Sequence, residues 1–217
     1  MSRLKKTSAK NIKLLYQMMY DISRMFDKHN IPYWVVGGTA LGAVRHGGII
    51  PWDDDVDIAI DNRDIKNLLK LEKPLKKCGY GLIKVWLGFK IYNLNIPSKL
   101  RYRWSFPNVD IFTMKHSKRK YIYSRKMVTD AWPKDYYYVE ELFPLRKYKF
   151  GDFWVTGAFT YIKNFNRLYG TNWNLVAYRE YDHEKEENVT EKRVLVKLRK
   201  QDRKPALPTK VVKKKCI

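Results

Sequence analysis

The sequence predicts an α+β fold, a small mixed β-sheet flanked by helices and followed by a basic C-terminal tail. Two observations carry this expectation. Apolar periodicity alternates between helical and strand-like along the first half, in the order helix, strand, helix, strand, helix, and several strands follow. The 217 residues are 45% hydrophobic and 15% aromatic, enough for one core. The expected division is a catalytic domain over 1–182 and a basic extension over 183–217.

Residues 8–29 carry Ile12, Leu15, Met19, Ile22 and Phe26 at helical spacing. "YWVVGG" is a short apolar run closed by glycines, a buried strand and then a turn. "TALGAVRHG" reads as a short helix capped by Thr39 and closed by Gly47 and Gly48. "VDIAI" is a strand, and 62–78 is helical with Pro74 bending or ending it. "GLIKVWL" and "FKIYNL" form a hairpin around Gly88, and "NVDIFTM" is a further strand with the same Val-Asp-Ile pattern as "VDIAI". "PLRKYKFGDFWV" alternates about a Gly-Asp turn, and "FTYIKNFNRLYG" is a helix stopped by Gly170. Tyr169 and Trp173 are expected to pack that helix on the sheet. Residues 183–217 hold twelve Lys/Arg against five Asp/Glu, which suggests a weak helix near 189–201 and then a mobile tail.

The formal net charge of +22 predicts a positive surface that attracts nucleotides, acidic glycans, anionic lipid heads or nucleic acid. Charge alone does not choose among these. No apolar run is long enough for a signal peptide or a spanning helix, so any membrane contact would be peripheral and a cytoplasmic location is expected. Two cysteines exclude a disulfide framework and a multi-cysteine zinc site, and they suit a reducing compartment.

Against that positive background, "IPWDDDVDIAI" places Asp53, Asp54, Asp55 and Asp57 within five residues. Crowded carboxylates raise one another's pKa and gain nothing unless a cation sits among them. On a strand, Asp55 and Asp57 share a face, with small Ala59 leaving room there and Val56, Ile58 and Ile60 opposite. Two such carboxylates suit Mg²⁺, or Mn²⁺, which accepts oxygen ligands and keeps waters that phosphates can replace. Asp53 and Asp54 would support from behind or cap a turn. Asp110, on the second Val-Asp-Ile strand, would complete the set as ligand, as general base, or both. Upstream, Gly37 and Gly38 open a helix after a strand, where backbone N–H groups can cradle an anion. Thr39 could add its hydroxyl and Arg45 a phosphate contact. The pattern lacks the Lys-Ser/Thr of a P-loop and the dinucleotide fingerprint.

These residues resemble the nucleotidyltransferase-fold superfamily, with its glycine turn, DxD strand and third acid. More narrowly, "YWVVGGTALGAVRHGGIIPWDDDVDIAI", supported by "VDIF", "ELFPLRKYKFGDFWV" and "FNRLYGTNW", resembles the LicD family, which includes fukutin-related proteins. The resemblance implies a nucleotidyltransferase-like sheet. It also implies transfer of a phosphorylated group, phosphocholine or a polyol phosphate, from a CDP-activated donor to a sugar hydroxyl of a glycan. It puts Asp55, Asp57 and Asp110 at the metal and Gly37, Gly38 and Thr39 at the phosphates, with Arg45 a candidate contact. Two other readings use the same chain differently. One is a template-independent nucleotidyltransferase acting from an NTP; the other is a non-enzymatic basic module that binds polyanions.

Overall fold

A computed structural model describes residues 4–98, 102–177, 181–183, 185, 187–188, 196–214 and 216. Helix α1 (Ala9–Lys28) starts where the Ser8 side chain accepts from the Asn11 N–H. It buries Ile12, Leu15, Met19, Ile22 and Phe26, the stripe that its spacing predicts, and Tyr16 beside them. Strand β1 (Tyr33–Val35) leads directly into α2 (Gly37–Arg45), and β2 (Val56–Asp61) returns antiparallel to β1.

After a single 3₁₀ turn come α3 (Ile65–Lys70) and α4 (Glu72–Lys77). The expected bend falls at Leu71, before Pro74, because the proline ring clashes with the carbonyl four residues earlier, that of Lys70. The hairpin around Gly88 is β3 (Tyr80–Lys84) and β4 (Gly88–Asn93). Then β5 (Asn108–Ser117) inserts between β2 and β4, parallel to the first and antiparallel to the second.

The sheet order is β1-β2-β5-β4-β3, so the connection from β2 to its neighbour β5 crosses over through two helices and a hairpin. The far half of β5 pairs with β6 (Lys120–Tyr123); α5 (Lys126–Ala131) follows, then β7 (Tyr137–Tyr138) on β6. Next come α6 (Val139–Leu142), the hairpin β8 (Arg146–Phe150) with β9 (Phe153–Gly157), and α7 (Ile162–Tyr169). Phe165 of α7 meets both Tyr169 and Trp173, contacts within the helix and the turn after it rather than onto the sheet.

The described part of the C-terminal extension lies against the domain. Ala206 N–H donates to the Ile49 carbonyl, Val212 N–H to Gln17, and Lys214 Nζ sits 2.7 Å from buried Asp21. Of the weak helix expected near 189–201, residues 189–195 lie outside the described residues; Val196–Lys197 is instead a strand paired with Val176–Ala177, and a 3₁₀ turn over Lys200–Arg203 follows. Cys78 and Cys216 are joined as a disulfide with Cα atoms 5.5 Å apart. No helix among the described residues is long and apolar enough to cross a membrane.

Candidate active site

The site forms at the N-terminal ends of β2 and β5. Because these strands are parallel and in register, Asp57 stands directly beside Asp110. The strand proper begins at Val56, so Asp55 reaches the site from the residue before it. Oxygens of Asp55, Asp57 and Asp110 lie within 4.8 Å of one another. Asp54 and Asp55 are buried nearby, and Asp53 approaches the start of α2.

The glycines are fixed by this approach. Gly37 has φ +54°, a left-handed backbone that favours glycine, and a Cβ there would stand 3.1 Å from Asp57 Oδ2. A Cβ on Gly38 would stand 2.7 Å from Asp53 Oδ2. The helix starts at Gly37 with Val36 as its cap, so Thr39 lies inside it and is not the cap that the sequence suggests. Its hydroxyl accepts instead from the Asp57 N–H at 2.8 Å, tying α2 to β2. Gly37, Gly38 and Thr39 thus surround the acids, and the first N–H groups of a helix have no acceptor within it.

Arg45 is not brought to this end. It closes the nine-residue α2, on the order of 12 Å along the axis from Gly37. Its Nη1 donates to the carbonyls of Trp173 and Val176. His46 beside it is buried, and burial, then Arg45, pushes it down to about 3. Its ring lies edge-on to buried Trp52.

Two cations escaped the sequence reading. Lys90, 5% exposed, stands opposite Asp110 across the β4–β5 ladder, with Nζ 2.6 and 2.9 Å from its two oxygens and 3.0 Å from Asn108 Oδ1. The signal was present: a lysine between Phe89 and Ile91 on an otherwise apolar strand. His183 places Nδ1 2.9 Å from Asp54 and Nε2 3.0 Å from Asp55. Burial opposes the charged ring, but Asp55 and Asp54 outweigh it and hold His183 at about 12. Nothing in its spacing marks His183, since it lies 126 residues after Asp57.

Among the described residues, the acids of the site repel one another more than Lys90 and His183 offset. Asp53 and Asp57 keep some exposure, yet protein encloses them closely enough for desolvation, then Asp55, to raise both well above the usual range. Asp110 is raised by burial although Lys90 opposes the shift. Asp55 moves the other way: burial is overcome by His183, and its pKa is lowered. A donor set made only of carboxylate oxygens, crowded within 4.8 Å, fits a hard divalent cation.

This fold and site define a nucleotidyltransferase-type domain. The family described as LicD/FKTN/FKRP, nucleotidyltransferase domain, matches residues 30–157, and the chain belongs to that family. An uncharacterized protein of Rickettsia prowazekii is 39% identical over 78% of this chain and 59% of its own. The chain spans 59% and 50% of the first two curated relatives it matches. Ribitol 5-phosphate transferase FKRP of Homo sapiens is 54% identical over 41 residues, 19% of this chain and 8% of that one. Lipopolysaccharide cholinephosphotransferase LicD of Haemophilus influenzae is 53% identical over 32 residues, 15% of this chain and 12% of its own. Among solved structures, the lincosamide antibiotic adenylyltransferase LnuA covers 71% of this chain and 82% of its own, at TM-score 0.40 and 14% identity.

Proposed function

We propose that this protein transfers a phosphorylated small group, choline phosphate or a polyol phosphate, from a CDP-activated donor to a sugar hydroxyl of a glycan. CMP is released. The single observation that carries the reading is the side-by-side register of Asp57 and Asp110 on parallel strands, with Asp55 converging on them. Short matched segments of a ribitol 5-phosphate transferase and a lipopolysaccharide cholinephosphotransferase support the class of group transferred.

Asp55, Asp57 and Asp110 would hold Mg²⁺ or Mn²⁺, which when bound neutralises phosphate charge. The backbone N–H groups at Gly37 and Gly38 face the donor phosphates, and Thr39 keeps that end of α2 on β2. Asp110 orients the acceptor hydroxyl. The hydroxyl oxygen forms the new bond to phosphorus as the bond to CMP breaks, and the hydroxyl proton passes to carboxylate or solvent. Lys90 fixes the Asp110 carboxylate through both oxygens. Such a site works by positioning and charge neutralisation.

The deciding experiment incubates the protein with a panel of CDP-alcohols, nucleotide sugars and CTP in the presence of Mg²⁺. CMP release and the acceptor's mass are then read by mass spectrometry. CMP release from a CDP-alcohol is expected. Incorporation from CTP alone would replace this reading with a template-independent nucleotidyltransferase.

A further inference from the structure

Building on the transferase reading, we propose that the stacked indoles of Trp86 and Trp132 form a saccharide platform that seats the acceptor sugar beside Asp110. The sheet itself makes the connection. Alternate residues of a strand share a face, so Asp110 and Phe112 point the same way, about 7 Å apart along β5. Lys90 lies opposite Asp110 and Gly88 opposite Phe112, while Ala59 flanks Phe112 on the other side. The small neighbours leave the Phe112 ring to be covered from above. Tyr123 and Trp132 cover it, at centroid distances of 5.2 and 5.8 Å. Trp132 in turn stacks on Trp86 at 5.5 Å and 19°. The acid face therefore runs without a break into a ledge of aromatic rings.

That ledge is open and rigid. Trp86 is 46% exposed and Trp132 39%. Two large rings held half in water are costly to leave bare, and stacked indoles present a flat apolar face edged by an N–H donor. The C–H face of a pyranose, ringed by hydroxyls, is its complement. The turn beneath is pinned: Arg125 Nη1 donates to the carbonyls of Val85 and Trp86 at 2.8 and 2.9 Å. Gly88 closes it at φ +154°, where a Cβ would meet the Ile111 carbonyl at 2.2 Å. Pre-organisation of this kind lowers the ordering cost of binding.

A nucleobase is the other ring that could stack there, and the layout disfavours it. The glycine end of α2, where the donor phosphates are proposed, lies on the β1 side of the acids, and the ledge lies on the β4 side. Donor and acceptor would then approach the three aspartates from different sides of the strand order.

The test uses the full chain and trisaccharides of glucose, galactose and N-acetylglucosamine as probes, read by saturation-transfer NMR, with CMP titrated in parallel. Wild type is expected to bind at least one trisaccharide. Trp86→Ala and Trp132→Ala are expected to weaken that binding about tenfold or more, as aromatic anchors do. Trp86→Phe should retain part of it, which separates ring stacking from misfolding. Trp154→Ala, on the β8–β9 hairpin, should bind as wild type. No saccharide binding by wild type, or binding untouched in both alanine variants, overturns the platform. Loss of CMP affinity rather than saccharide affinity also overturns it, in favour of a base-stacking role. The transferase reading fails separately: no CMP release from any CDP-alcohol while saccharide binding still depends on Trp86 would sink that reading and leave the platform standing.

Discussion

Asp21 and Asp110 are both buried carboxylates that meet a lysine, and their surroundings decide what each can do. Asp21, 1% exposed on α1, is a single acid served by Lys214 at 2.7 Å, Tyr80 at 2.5 Å and Gln17 at 2.8 Å. Its oxygens are satisfied and its charge is matched. Asp110 also has its lysine, but four more aspartates, Asp53, Asp54, Asp55 and Asp57, crowd the same end of the sheet, where His183 meets Asp54 and Asp55. The first arrangement fastens the tail to α1. The second gathers carboxylate oxygens within 4.8 Å of one another, a donor set that fits a divalent cation.

The comparison can be broken most sharply at Asp57. Asp57→Asn should lower CMP release by about two to three orders of magnitude, the scale for losing one electrostatic group at a reacting centre. It should leave the melting temperature equal or higher, because a repelled charge is gone. A variant that unfolds would make Asp57 a structural acid like Asp21. The converse change, Asp21→Ala, strands Lys214 and Tyr80 and should cost about 2–4 kcal/mol in urea unfolding. Turnover per folded molecule should not change.

A smaller effect separates the two clusters by cation binding. At a tenfold excess over Kd, a ligand stabilises by about 1.4 kcal/mol, or ~3–6 °C for a chain of this size. Mg²⁺ or Mn²⁺ should raise the melting temperature of wild type and of Asp21→Ala by this order, and Asp55→Ala should abolish the rise. A rise that persists in Asp55→Ala would place the ion elsewhere.

The smallest effect sharpens the same contrast between histidines. His183 lies between two carboxylates and is held charged, whereas His46, buried beside Arg45, is pushed down to about 3. The unfolded chain protonates His46 below about 6.5 while the folded chain resists. Stability from this group is therefore whole above that pH and is lost as pH falls towards 3. From pH 6 to pH 5, wild type should lose on the order of 1 kcal/mol relative to His46→Asn. A pH-independent difference between the two proteins would show that His46 is not excluded from protonation.

What could be read from the sequence was whatever local periodicity controls. The α1 stripe, the hairpins about Gly88 and Gly151, and the Val-Asp-Ile strands follow from side chains alternating at 3.6 or 2 residues. So do Asp55, Asp57 and Asp110 as candidates, because crowded acids in a basic chain need a reason that composition alone already poses. Only the tertiary structure decided that β5 slots between β2 and β4 so that Asp57, Asp110 and Lys90 stand in one row. It alone delivered His183 to Asp54 and Asp55, set Arg45 against the carbonyls of Trp173 and Val176, and drew the tail back onto Asp21 and Cys78. The physical reason is that strand order and long-range ion pairs depend on which surfaces bury each other, and no period in the chain encodes a partner more than a hundred residues away.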